Sequence, residues 1–270
     1  MTSNVRQPAV AGRFYPGDPA ELRHDVESYL SPPEQPVHAI GCIAPHAGYI
    51  YSGSVAGEVF ARVEIPACCI LMCPNHTGVG EPLAIMSRGA WQTPLGAVPI
   101  DTELAEALKQ SCQLLTEDAA AHRAEHAAEV ELPFLQMRRP GIRFVPIALG
   151  TGRFEVLHRL GEAIAEVVSA RAAPVLLIAS SDMNHYEDDA TTRVKDHKAI
   201  DRILALDPEG LFHVVIREHV SMCGFGPVIS MLSAAKRLGA TTAELVRYAT
   251  SGDVSGDRDM VVGYAGIVVQ

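Results

Sequence analysis

The stretch Ala39-Ile-Gly-Cys-Ile-Ala-Pro-His46-Ala-Gly-Tyr-Ile-Tyr-Ser-Gly53 is apolar until it stops at a proline, a histidine and a glycine. That pattern predicts a buried strand at about 38–45 that delivers an imidazole into a turn. It recurs in Ala67-Cys-Cys-Ile-Leu-Met-Cys-Pro-Asn-His76, and again in Pro174-Val-Leu-Leu-Ile-Ala-Ser-Ser-Asp182-Met-Asn-His185, which closes on a carboxylate and a histidine. Strands buried on both faces of an open α/β sheet read as continuous aliphatic runs, and ligands gather beyond their carboxyl ends. Three such ends carrying His46, His76 and the pair Asp182 and His185 point to one shared site.

Outward from these strands, helix and strand patterns alternate. Residues 1–17 are too rich in Pro and Gly for regular structure. Asp18-Pro-Ala-Glu21 then opens a helix with Leu22, Val26 and Leu30 on one stripe, stopped by Ser31-Pro-Pro33. Helices are predicted over 54–63, 101–111, 119–132 (ended by Pro133), 154–171, 189–206, 208–217 and 227–238. Strands are predicted over 67–73, 143–149, 174–180, 243–250 and 260–269, with an extended element from Leu83 through Trp91. The alternation implies an α/β fold, a mainly parallel central sheet with helices on both faces. No linker, repeat or low-complexity tract divides the chain, so a single domain over 1–270 is expected.

The composition, 48% hydrophobic and 20% charged over 270 residues, is that of a soluble globular chain with material for a core. No apolar run reaches the ~20 residues needed to cross a bilayer. The start Met1-Thr-Ser-Asn-Val-Arg6 lacks the basic-then-apolar pattern of a secretory signal, so cytoplasmic residence is expected. A net charge of -10 and a pI near 5.5 argue against nucleic acid, whose phosphates call for a basic surface. Cys42, Cys68, Cys69 and Cys73 lie in apolar runs, where a reduced thiol acts as a small hydrophobe. No Cys-x-x-Cys pair and no phosphate-binding glycine loop occurs.

His46 and His76, each ending a buried strand, are the strongest metal-ligand candidates, against the alternative of hydrogen-bonded core histidines. Cys223 precedes Gly224-Phe-Gly-Pro227 at a predicted helix start, where amide dipoles favour a thiolate. It reads as a third ligand, a nucleophile or a packed thiol. Asp182 and His185 can place an acid–base imidazole beside a metal, or Asp182 can cap the turn and orient His185. Glu125, His126 and Glu129 fall on a predicted helix, and a solvated charged face explains them more simply than a catalytic role. Phe14 and Tyr51, with Tyr15 and Tyr49, either wall a pocket or fill core.

Pro8-Ala-Val-Ala-Gly-Arg-Phe-Tyr-Pro16, Pro45-His-Ala-Gly-Tyr-Ile-Tyr-Ser-Gly53, Pro74-Asn-His76, Glu125-His-Ala-Ala-Glu129, Ser180-Ser-Asp-Met-Asn-His185, Met222-Cys-Gly224 and Thr250-Ser-Gly-Asp-Val-Ser-Gly256 occur in that order along essentially the whole chain. As a set they resemble the Memo family, whose bacterial and archaeal members are called AmmeMemoRadiSam system protein B. The resemblance implies a fold like that of the class III extradiol dioxygenases, non-haem iron enzymes that open catechol rings. It also implies that His46, His76 and Cys223 match the metal-binding positions, with Asp182 and His185 lining the same pocket. The dioxygenases place a carboxylate where this chain offers a cysteine, and a thiolate suits copper or zinc as well as iron. Family context further implies association with an AMMECR1-like protein and a radical S-adenosylmethionine enzyme.

Three functions are therefore expected to compete. One is a metal-dependent oxidoreductase that holds iron or copper and acts on a small, unknown substrate, with His185 moving a proton and Asp182 orienting it. Another is a non-catalytic adaptor whose pocket, rimmed by Phe14 and Tyr51, binds a peptide or partner. The third, less favoured, is hydrolysis by a Cys223 nucleophile.

Overall fold

The computed structural model describes residues 5–30 and 35–270. The N-terminal segment contains a short strand, β1 (Val5–Arg6), and leads into α1 (Pro19–Tyr29). The Asp18 side chain accepts the Ala20 and Glu21 amides, and Pro19 occupies the first turn, where no donor is missed. The expected stop at 31–33 lies outside the described residues. Next come β2 (Gly41–Ala44), α2 (Tyr49–Arg62), β3 (Cys68–Pro74), β4 (Leu83–Ile85), β5 (Ala90–Thr93), β6 (Gly96–Pro99), α3 (Thr102–Ser111) and β7 (Thr116–Glu117). They are followed by α4 (Ala120–Arg123), α5 (Leu132–Arg138), β8 (Arg143–Leu149), α6 (Phe154–Ser169), β9 (Leu176–Ser180) and β10 (His185–Glu187). The chain ends with α7 (Asp189–Leu204), α8 (Pro208–Arg217), α9 (Phe225–Arg237), β11 (Ala243–Thr250), α10 (Gly252–Ser255) and β12 (Val261–Val269).

Among the described residues, nine strands form one sheet in the order β10-β12-β2-β9-β3-β8-β4-β7, with β11 on the far side of β12. The four strands β2, β9, β3 and β8 are mutually parallel, as their uninterrupted apolar sequences require. Toward the edges the pairing turns antiparallel, at β12 with β2 and at β4 with β8. The sheet is thus parallel at its centre and mixed outside it. One apolar cluster runs from Val10 to Val269 and includes the inner faces of α2, α6 and α9. Asp101, Asp188 and Asp207 cap α3, α7 and α8 by accepting the Leu104, Thr191 and Gly210 amides. No helix of the described residues is long and apolar enough to cross a membrane.

Three local expectations change. α2 starts at Tyr49, five residues early, because the Tyr49 amide donates to Phe14 O (2.8 Å) and its buried ring donates its hydroxyl to Val130 O (2.7 Å). The extended element after Leu83 is two strands, and β5 belongs to a separate small sheet, β1-β5-β6, which draws in Val5–Arg6. The continuous helix expected over 119–132 is broken after Arg123, and Pro133 lies in the first turn of α5 instead of ending a helix. Tertiary partners for three glutamates in this segment override the local helical preference, as their contacts below make plain.

Candidate metal centre

β9 lies between β2 and β3 in the sheet, and all three run the same way. His46, two residues past β2, and His76, two past β3, therefore flank the Ser180-Ser181-Asp182 end of β9 at one edge of the sheet. Their rings meet at a centroid distance of 5.1 Å and an angle of 74°. Cys223, just before α9, closes the third side, its Sγ 3.2 Å from His46 Nε2. One donor atom each from His46, His76 and Cys223 lies within 4.8 Å of the other two. Donors on one tetrahedral ion are roughly 3.3–3.6 Å apart, given bond lengths of about 2.0–2.3 Å, so the triad is close to ligating geometry. Gly224 makes the approach of Cys223 possible: a Cβ there would come 2.4 Å from Ser180 O and 2.4 Å from Ser181 Cβ.

Both imidazoles are held from behind. Glu125 Oε2 accepts the His76 amide (2.6 Å), while Oε1 lies 2.9 Å from His76 Nδ1 and accepts the Ala127 amide at 2.9 Å. His46 Nδ1 lies 2.8 Å from Ser180 Oγ, which is 2.8 Å from Glu131 Oε1 and 3.1 Å from Ala127 O. Each arrangement engages Nδ1 and leaves Nε2 free to ligate an ion. Asp182 Oδ1 accepts the His46 amide at 2.8 Å, so this carboxyl braces the histidine loop. The task of orienting His185 falls to Ser221 instead. Its Oγ accepts the His185 amide (2.7 Å), and its carbonyl lies 3.0 Å from His185 Nδ1.

Electrostatically the site is divided. Burial, then the neighbouring His76, His126 and His185, push His46 well below the usual imidazole range. For His76 burial acts the same way, but the Glu125 hydrogen bond and charge, with Asp182, leave its pKa raised. Glu125 itself is held below the usual carboxylate range, because His76 and the Ala127 amide outweigh its burial. Burial lifts Asp182 to about 7, against the opposing pull of the His46 amide and His76. Burial lowers His185 and His126. The thiolate expected at Cys223 is not favoured in the metal-free protein. Burial, and then Asp182, push the thiol up, and α9 begins only at Phe225, too late to offset them.

The solvated face expected for Glu125 and Glu129 is wrong: both are fully buried. Glu129 accepts the Ala9 (2.7 Å) and Val10 (3.0 Å) amides and the Tyr15 hydroxyl (2.6 Å), and pairs with Arg6, so it anchors the N-terminal segment. His126 stacks on His76 (4.8 Å, 22°) and meets the edge of Phe14 at 4.8 Å. Phe14 and Tyr51 line a neighbouring cleft of about 580 Å³ with Tyr15 and Tyr49, one imidazole removed from the triad. The sequence reading missed Ser180, Ser221 and Glu131 as supporting residues. For Glu131 a signal was present: a carboxylate set among Val130, Leu132, Pro133 and Phe134 has no solvent-facing stripe to occupy.

The Memo-like protein family matches residues 6–268. A MEMO1 family protein of Methanopyrus kandleri is 46% identical over 277 residues, covering 97% of this chain and 98% of that protein. One from Methanosarcina barkeri is 44% identical over 268 residues, covering 98% and 100%. Among solved structures, that of an uncharacterized protein from Escherichia coli K12 superposes with a TM-score of 0.50 at 13% identity, covering 83% of this chain and 98% of that one, a likeness of fold.

Proposed function

The chain belongs to the Memo-like protein family, and from that premise we propose that it is a metal-dependent oxidoreductase whose ion is held by His46, His76 and Cys223. The observation that carries the reading is the convergence of two imidazoles and a thiol, from three separate parts of the chain, to within 4.8 Å. Iron or copper fits two nitrogens and a sulfur, and zinc fits the same set. When bound, such an ion supplies a Lewis-acidic centre with room for dioxygen and a small substrate.

The rest of the chemistry belongs to the protein. His185 Nδ1–H donates to the Ser221 carbonyl, which leaves the Nε2 lone pair as the base, and burial lowers the pKa of the ring. Asp182 fixes the His46 backbone. His126 and Phe14 wall one side of the site. Metal analysis of protein purified without chelator tests the assignment: the wild type retains an ion, and the His46→Ala/His76→Ala double variant loses it. Equal metal content in both would reject the ligand set. Oxygen uptake with a panel of catechols, metal supplied, then tests turnover; uptake that persists in His185→Ala would remove the proposed base.

A second reading, an adaptor that works with AMMECR1-like and radical S-adenosylmethionine partners, draws support from exposed apolar side chains close in sequence to the site. Ile50 is 67% and Tyr186 70% exposed. A metal-loaded protein with no oxygen uptake would favour it.

A further inference from the structure

The Ser180 hydroxyl faces three groups, His46 Nδ1, Glu131 Oε1 and Ala127 O, yet it has one proton and two lone pairs. The Ala127 carbonyl can only accept. If Glu131 were ionised, it and Ala127 would compete for that one proton and leave two oxygens facing each other unbridged. If Glu131 is a neutral acid, all three groups facing the hydroxyl are satisfied. Its O–H and the His46 Nδ1–H both donate to Oγ, and Oγ–H donates to Ala127 O. Glu131 is fully buried, and its second oxygen, Oε2, has no partner among the described residues. An orphaned carbonyl oxygen costs far less there than half of an orphaned carboxylate.

We propose that Ser180 and a neutral Glu131 are positioning residues that lock His46 in the Nδ1–H tautomer, so that the two histidine ligands are backed unequally. An anion, Glu125, stands behind His76, and an uncharged acid stands behind His46. The inference rests on the metal reading above for its purpose, although the tautomer exists without metal. Burial also pushes Glu131 well above the usual carboxylate range, in agreement with the hydrogen-bond count. The consequence is a site in which His76 is the stronger electron donor and His46 the weaker, because a hydrogen bond to an anion raises ligand basicity and one to a neutral hydroxyl does so less.

The test combines nitrogen NMR of metal-free protein with zinc affinity measured against a chromophoric chelator. In the wild type, His46 shows a protonated Nδ1 and a lone pair on Nε2, and infrared spectra contain a carboxylic acid carbonyl band that disappears in Glu131→Gln. The Gln amide replaces the acid as donor to Oγ, so zinc affinity in that variant stays within about 3-fold of wild type. Ser180→Ala releases the tautomer and weakens zinc roughly 10–100-fold. A His46 protonated on Nε2, no acid band, or a Glu131→Gln variant that loses as much affinity as Ser180→Ala would each overturn the proposal. A wild type that holds no zinc would sink the metal reading instead, and the NMR and infrared results would still decide this one.

Discussion

Replacing Glu125 by glutamine keeps the shape of the side chain and removes the feature the structure uses. Three N–H groups point at this buried carboxylate: the His76 amide at Oε2, and His76 Nδ1 with the Ala127 amide at Oε1. A glutamine offers one acceptor oxygen and one NH2. With its oxygen in the Oε1 position, the NH2 confronts the His76 amide. With its oxygen in the Oε2 position, the NH2 confronts the Ala127 amide and donates to Nδ1, which moves the His76 proton to Nε2 and blocks the ligating atom. Either way a buried donor loses its partner, at about 1–3 kcal/mol, which corresponds to zinc binding about 5- to 150-fold weaker. Competition with a chelator at neutral pH measures this, and thermal unfolding of the metal-free proteins separates ligand orientation from loss of fold. An affinity within twofold of wild type, in a protein that remains folded, would refute the assignment of His76 as a ligand held by Glu125.

Two further outcomes follow from buried contacts. Asp196 is fully buried, accepts the Asn184 amide (2.8 Å) and the Tyr248 hydroxyl (2.7 Å), and is lifted by burial from 3.8 to about 6. Because its folded pKa lies above its unfolded one, its contribution is full below about pH 4 and is lost as pH rises through 6. The loss is about 3 kcal/mol at most. Asp196→Asn, whose oxygen can accept the Asn184 amide while its NH2 donates to the Tyr248 oxygen in place of the present bond, should flatten the fall in denaturant-measured stability between pH 4 and 6, and an unchanged slope would assign that fall elsewhere. Gly224→Ala places a methyl 2.4 Å from Ser180 O, a backbone atom that cannot step aside. It should cost about 1–3 kcal/mol and weaken zinc binding by displacing Cys223, and unaltered affinity would show that the thiol is not a ligand.

The centre of the fold is legible because β2, β3, β8 and β9 are buried on both faces, so their sequences are continuous aliphatic runs that no helix period imitates. Helix starts at Asp18, Asp101 and Asp207 are equally plain, since a side-chain cap is a local interaction. The small sheet of β1, β5 and β6 was hidden because Val5–Arg6 is a strand only by virtue of residues about 85 positions away, Ala90 and Trp91. The two candidate histidine ligands could be read from strand ends. Of their supports, Ser221 and Ser180 could not, because they act through contacts with no sequence period; only Glu131, a carboxylate among apolar neighbours, carried a sign. Cys223 shows the reverse failure: its place before a helix suggested a stabilised thiolate, while burial, invisible locally, decides the other way.

The segment from Glu125 to Glu131 explains why a chain with strong helical preference does not form a helix there. A helix would set Glu125 and Glu129 on one face and Glu131 on another, and all three would seek water. The observed turns send them to three different places: Glu125 to His76, Glu129 to the N-terminal segment and Tyr15, and Glu131 to Ser180 behind His46. Each buried carboxyl is costly alone, and each finds its partner in a different tertiary neighbour: His76 and the Ala127 amide for Glu125, Arg6, Tyr15 and the Ala9 and Val10 amides for Glu129, and Ser180 for Glu131. Both candidate ligand imidazoles are backed by this one short stretch of chain, His76 directly by Glu125 and His46 through Ser180 by Glu131, so damage to it should loosen the site while the sheet remains intact.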